Sequence, residues 1–202
     1  MTDPRQALYA EADQQAAAVV AAVGLACPTG CGACCVTLPP HVSLGDLAPI
    51  AAAAIVDGTA EAILARAVAG ATGPCALYDP TRPGGGCTVY PLRPVVCRLF
   101  GAGAVRDKRG GLALAVCRVH QAADPATVQR AQAYVDGGGA VPAFAEFHER
   151  AQQCDDGAAA VLPINQALAI ALGRALLHAQ LRAEAALTPP GTELASAPVA
   201  LP

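Results

Sequence analysis

The sequence predicts a mainly α fold that carries a small loop-rich, β-hairpin module rich in cysteine, an α+β arrangement with the helices as frame. Three observations point there. Alanine supplies 49 of the 202 residues and falls in runs bounded by helix-capping residues. Glycine and proline interrupt every periodic pattern over residues 73–103. Eight of the nine cysteines lie within residues 27–117, in and around that interrupted stretch. The length allows one domain, or one domain with an added subdomain. Hydrophobic residues reach 54%, but so many are alanine, and so few (3%) aromatic, that the core is predicted to be thin.

The elements follow in order. Asp3 and Pro4 provide a cap and a first-turn proline for a helix to about Val23, where Gly24 can end it. The motif Ser-Leu-Gly-Asp at 43–46 sets a capping hydroxyl three residues before an acid, and a second helix follows to Asp57 and Gly58, with Pro49 expected to kink its start. Thr59 can cap a third helix that Gly70 stops. Residues 73–103 are predicted as loop with short extended pieces. Residues 104–116 read as a hairpin, two apolar strands around a charged turn at 106–109 followed by Gly110 and Gly111. Asp124 and Pro125 repeat the cap-plus-proline signal for a helix to about Val135, and Gly137, Gly138 and Gly139 read as a hinge. Residues 142–154 and 158–187 show helical spacing, the latter with Ile164, Leu168 and Leu172 on one stripe and Leu177 and Leu181 on its neighbour. These two helices are expected to pair as a hairpin against the first. Residues 188–202 lack periodicity and are expected to be a disordered tail.

Charge and composition exclude several classes of partner. Thirteen basic against 16 acidic residues give a net charge of −3, and Lys108 is the only lysine. No broad basic face is available for phosphate backbones, so nucleic acid is not an expected partner. The longest apolar run, residues 16–27, is 12 long and broken by Gly24, against roughly 20 needed to cross a bilayer. Acidic residues precede it, unlike a secretory signal. The expectation is therefore a cytoplasmic protein without a membrane span, in a compartment where clustered thiols read as metal ligands or redox groups before disulfides. The odd number of cysteines also cannot pair completely.

The segment Cys-Pro-Thr-Gly-Cys-Gly-Ala-Cys-Cys puts Cys27, Cys31, Cys34 and Cys35 in nine residues, with small linkers that let several thiolates converge. Cys75, Cys87, Cys97 and Cys117 supply four more. Tetrahedral zinc and iron-sulfur clusters both take four thiolates, so eight can fill two sites. On extended backbone, adjacent Cys34 and Cys35 would point apart and serve different centres. Eight thiolates with two zinc ions would move the formal charge from −3 to −7, so Arg93, Arg98 and Arg118, each beside a cysteine or close to one, are expected to face sulfur or pin loop carbonyls. Such a site would couple ion binding to folding, giving a metal-stapled module. The spacing of Cys27, Cys31 and Cys34 is also that of radical SAM triads, but the chain is too short and too alanine-helical for the barrel those enzymes need.

Cys-Gly-Ala-Cys-Cys at 31–35, Cys87 with Tyr90, the Arg-Pro-x-x-Cys-Arg run from Arg93 to Arg98, and Cys117 followed by Arg118 resemble the YkgJ-type cysteine-cluster proteins, a zinc- or iron-chelating family with a CxxCxxCC signature. The resemblance spans about residues 27–120. It implies metal binding, with zinc or iron as the ion and an iron-sulfur cluster as the alternative, but supplies no reaction. Cys27, three residues rather than two ahead of Cys31, is the weaker eighth ligand, and His120, three after Cys117, can replace it. Residues 1–122 thus read as a metal-binding module with N-terminal helices and 123–187 as a helical extension able to dock a protein partner. Cys154 reads as a half-buried helix residue, and Tyr78 and Tyr90 as covers for the metal loop. The function expected is a metal-binding protein whose ions are structural or carried for delivery. The alternatives are an iron-sulfur redox component and a metal-stabilised adaptor.

Overall fold

The Asp3 carboxylate accepts from Arg5 N at 3.0 Å, Pro4 needs no donor, and the resulting helix α1 (Pro4–Val23) runs until Gly24 turns left-handed at φ 76°. This is the helix predicted, and it begins a computed structural model that describes residues 3–28, 31–37, 39–82, 86–155 and 161–187. A helical turn α2 (Ala33–Thr37) and a strand β1 (His41–Ser43) follow. Ser43 Oγ accepts from Asp46 N at 3.2 Å, capping a 3-10 turn at Gly45–Leu47 that leads into α3 (Ala48–Val56). Pro49 falls in the first turn, where no amide bond is lost, so the helix accommodates it without interruption. Helix α4 (Ala60–Ala69) ends at Gly70 as predicted.

The glycine- and proline-rich stretch contains β2 (Tyr78–Asp79) and β3 (Gly86–Cys87), a 3-10 turn at Tyr90–Leu92 and a helical turn α5 (Val95–Leu99). The hairpin is β4 (Ala104–Arg106) with β5 (Leu112–Leu114), paired Ala104 to Leu114 and Arg106 to Leu112. After it come α6 (Arg118–Ala123), α7 (Pro125–Asp136), α8 (Phe144–Gln153), a strand β6 (Val161–Pro163) and α9 (Ile164–Leu187). The protein is mainly α, with three small antiparallel sheets among the described residues, β1 with β6, β2 with β3 and β4 with β5. The tail expected to be disordered, residues 188–202, lies outside the described residues.

Three apolar clusters hold these elements. Val42, Leu47, Ile50, Leu77, Leu168 and Leu172 join α3, α4 and α9. Leu8, Tyr9, Val95, Leu99 and Phe147 join α1, α5 and α8. Val19, Val23, Leu114 and Val135 join the far end of α1 to the hairpin and α7. Each fully buried leucine contributes about 1.5–3 kcal/mol. The expected α8–α9 hairpin on α1 is not what forms. Helix α8 packs on α1 and α5, whereas α9 packs on α4 and α3. The cause is the β1–β6 pairing, His41 with Pro163 and Ser43 with Val161, which directs the start of α9 toward α3. Of the two predicted stripes on α9, Leu168 and Leu172 are buried, while Leu177 and Leu181 are 55% and 52% exposed. Among the described residues, no helix is long and apolar enough to cross a membrane.

Candidate metal centre

The cysteine loops fill the space between the first two clusters, and backbone bonds stitch them together. Cys31 N donates to Pro28 O at 3.0 Å and Cys35 N to Gly32 O at 2.9 Å, so the segment expected to be extended is instead a helical turn. Gly32 is sterically required there: a Cβ would collide with the Tyr78 ring and lie 3.2 Å from Gly86 N. The ring of Tyr78 thus covers the loop, as expected. Cys75 N donates to Cys35 O at 2.8 Å, which ties the first cysteine segment to the second.

Asn165 fixes the second segment from behind. Its Oδ1 accepts from Ala76 N at 2.8 Å, and its Nδ2 donates to Gly70 O at 2.6 Å and Pro74 O at 2.9 Å. Sequence reasoning missed this residue. Its signal, a polar side chain beside Ile164 at the start of an apolar helix, is visible only once its partners are known to be loop carbonyls.

Cys31, Cys34, Cys35, Cys75, Cys87 and Cys97 line one cavity of about 580 Å³, counted with its open mouth, together with Leu77, Phe100 and Ile164. Cys34 and Cys35 therefore share a cavity rather than facing apart. Cys35 donates to the Cys34 sulfur, which lowers the Cys34 thiol to about 6, while Cys35 itself is held protonated. Leu77 N–H donates to the Cys75 sulfur and Val89 N–H to that of Cys87. Even so, loss of water dominates: the Cys75 thiol is pushed up to about 11, and those of Cys87 and Cys97 are raised as well.

Cys27 stands apart from this cavity. The residue is exposed as a whole, yet its thiol is pushed up to about 11, first by lost hydration and then by the thiols of Cys31, Cys117 and Cys34. A Cβ on Gly101 would lie 3.4 Å from its Sγ. The eight cysteines named from the sequence thus fall in an inner group, Cys34, Cys35, Cys75, Cys87 and Cys97, and an outer group, Cys27, Cys31 and Cys117. Cys31 lines the inner cavity as well, and the Cys34 charge acts on both groups.

The arginines behave as two different parts. Arg93 stacks on Tyr90, 3.5 Å from the ring centroid, donates to Tyr90 O at 3.0 Å and Cys97 O at 3.3 Å, and favours the thiolates of Cys27, Cys34, Cys87 and Cys97. Arg98 is a strut: it donates to Arg93 O at 2.8 Å and Pro91 O at 2.6 Å and pairs with Asp13 on α1 at 2.5 Å. Arg118 is exposed. Cys154 donates to Arg150 O at 3.3 Å and packs against the α1 cluster, as a half-buried helix-end residue should.

All nine cysteines are free. Among the described residues, no group of three or more His, Cys, Asp or Glu is gathered closely enough to hold an ion as it stands. The donor set nevertheless fits zinc or iron. Six thiols share one cavity, backbone N–H groups already point at two of the sulfurs, and a guanidinium offsets the charge that thiolates would bring. No curated protein and no solved structure matches the chain. A family model does match it, over residues 26–155, from just before Cys27 through the cysteine loops, the hairpin and α6–α8. Since that match covers well over half of the sequence, the chain belongs to the CxxCxxCC family, described as "Putative zinc- or iron-chelating domain".

Proposed function

We propose that this protein binds zinc or iron through Cys31, Cys34, Cys35, Cys75, Cys87, Cys97 and Cys117, with Cys27 as the weaker eighth ligand, in two centres. The observation that carries the reading is the convergence of six cysteines, from three separate segments, on a single cavity. As a structural or carried ion, zinc would supply charge and directional bonds in place of missing apolar contacts. The protein's own residues do the rest. Leu77 and Val89 donate to sulfur, Arg93 balances charge, and Leu77, Phe100 and Ile164 keep the inner cavity partly dry.

The test is metal and acid-labile sulfide analysis of protein purified without oxygen. Near-stoichiometric zinc or iron supports the reading; a fully folded protein that holds no metal overturns it. An iron-sulfur cluster is the second reading, favoured by a lining that joins several cysteine thiols, the ligands such clusters require, to apolar side chains. It requires sulfide, visible absorption and bleaching on reduction. A protein-docking role draws on exposed Leu177, Leu181 and Leu187 of α9, and replacing these three with glutamine, which leaves the buried Leu168 and Leu172 in place, separates it from metal binding in a pull-down.

A further inference from the structure

We infer that the outer cysteines form a second metal site that takes its nitrogen ligand from His120, with Cys27, Cys31 and Cys117 supplying sulfur to one zinc ion. The inference rests on the thiol-binding reading above and goes beyond it by assigning an imidazole, and thereby a distinct Cys3His chemistry, to one centre.

His120 is only 5% exposed, yet neither Nδ1 nor Nε2 has a hydrogen-bond partner. A buried imidazole without partners forfeits its hydration at both nitrogens, and native proteins seldom leave such a group unused. Its surroundings supply thiols. A Cβ on Gly101 would lie 3.6 Å from His120 Cε1 and 3.4 Å from Cys27 Sγ, so both side chains lie close to one point beside Gly101. Gly101 itself holds φ at 92°, a conformation that suits glycine and lets backbone pass between them.

Cys117 precedes His120 by one helical turn, with Gln121 N bonded to Cys117 O at 3.1 Å, which sets both residues on one face of α6. Beside that geometry, the Cys27 thiol is raised first by burial and then by the thiols of Cys31, Cys117 and Cys34. Three thiolates and one neutral imidazole are a common tetrahedral zinc set. With Cys31, which also lines the inner cavity, committed to the outer site, the inner one keeps Cys34, Cys35, Cys75, Cys87 and Cys97 for its own ion.

The test uses the full chain, stripped of metal without oxygen and titrated with zinc, with bound zinc counted and the histidine ring nitrogens followed by 15N NMR. The wild type should take two equivalents, and one imidazole should change to the metal-bound tautomer as the second equivalent fills. His120→Ala should weaken one equivalent at least about 100-fold, beyond the effect typical of a supporting residue, while His120→Cys restores it.

Should the alanine variant fail to fold, the wild-type nitrogen spectrum and the cysteine variant decide. An imidazole that still titrates freely with two zinc ions bound, or an alanine variant that keeps both at full affinity, overturns the assignment while thiol binding stands. One equivalent only in the wild type, with no imidazole change, also overturns it. No zinc at all removes the thiol reading and this inference together.

Discussion

Zinc affinity should rise steeply with pH, and the slope reports how many ligands start as thiols. Burial pushes the Cys75 thiol up to about 11, and Cys35, Cys87 and Cys97 are raised too, so at neutral pH all four are protonated in the free protein. Each must lose its proton to bind a cation. A site built from these four therefore releases about four protons per ion between roughly pH 6 and pH 8, worth about 5 kcal/mol of affinity per pH unit. Cys34, lowered to about 6, changes this count. If it replaces one of the four, the slope falls to about three above pH 7, because that sulfur is already ionised. Competition with a zinc indicator across this range gives the slope. Calorimetry in buffers of different ionisation enthalpy counts the protons independently. A slope of one or less would show that these thiols do not ligate, and would refute the inner site.

Other perturbations test the frame around the sulfurs. The metal-free protein should lose stability as pH rises from about 9 to 11: a thiol whose folded pKa is raised stabilises below its unfolded value and loses that contribution as it ionises. Cys75 alone accounts for about 3 kcal/mol, and urea melts of stripped and zinc-loaded protein should diverge over that window. Gly32→Ala, which drives a Cβ into Tyr78, should cost about 1–3 kcal/mol in denaturant unfolding and weaken zinc binding with it. Asn165→Ala leaves Ala76 N–H and the Pro74 carbonyl unpaired and removes one of two donors from the Gly70 carbonyl, an expected loss of about 1–3 kcal/mol, read as a lower melting temperature. Asp46→Ala strips a buried Arg5 of a partner at 2.8 Å and should cost about 1.5–3 kcal/mol by the same melts, because the charge left behind keeps Asp155 and the Ala151 carbonyl but loses one charged hydrogen bond.

Local signals in the sequence located the helices well and their partners poorly. The caps at Asp3 and Asp124 and the stop at Gly24 act within a few residues of themselves, so they are readable without the fold. The β1–β6 pairing is a contact between positions more than a hundred residues apart in strands of three residues each, too short to show alternation, so the placement of α9 could not be anticipated. At the site, spacing identified the cysteines as a set but mistook the backbone at Cys34 and Cys35. An extended segment would separate those side chains; the helical turn imposed by Gly32 against Tyr78 brings both to the cavity. His120 was visible as Cys-x-x-His, yet its unpartnered burial depends on the Gly101 backbone, which no local pattern encodes.

The two electrostatic states of the cysteine loops explain how one fold can serve with and without an ion. Protonated thiols pack as small apolar groups, and here Cys75 belongs to the main apolar cluster, with Cys35 and Cys87 packed against it. In that state the loops extend the core. Deprotonation would place several like charges on the same cavity, a change that only a cation can offset at this depth. Arg93 offsets part of it, since its charge reaches sulfurs of both groups, and Arg98 holds the Arg93 carbonyl while anchored to Asp13 on α1. The position of that one guanidinium is thereby tied to α1, a helix that touches two of the three clusters. Ion binding at the cavity is then felt along α1, through Arg98, and at α9, which meets the loops through the Asn165 hydrogen bonds and through Ile164 in the cavity wall.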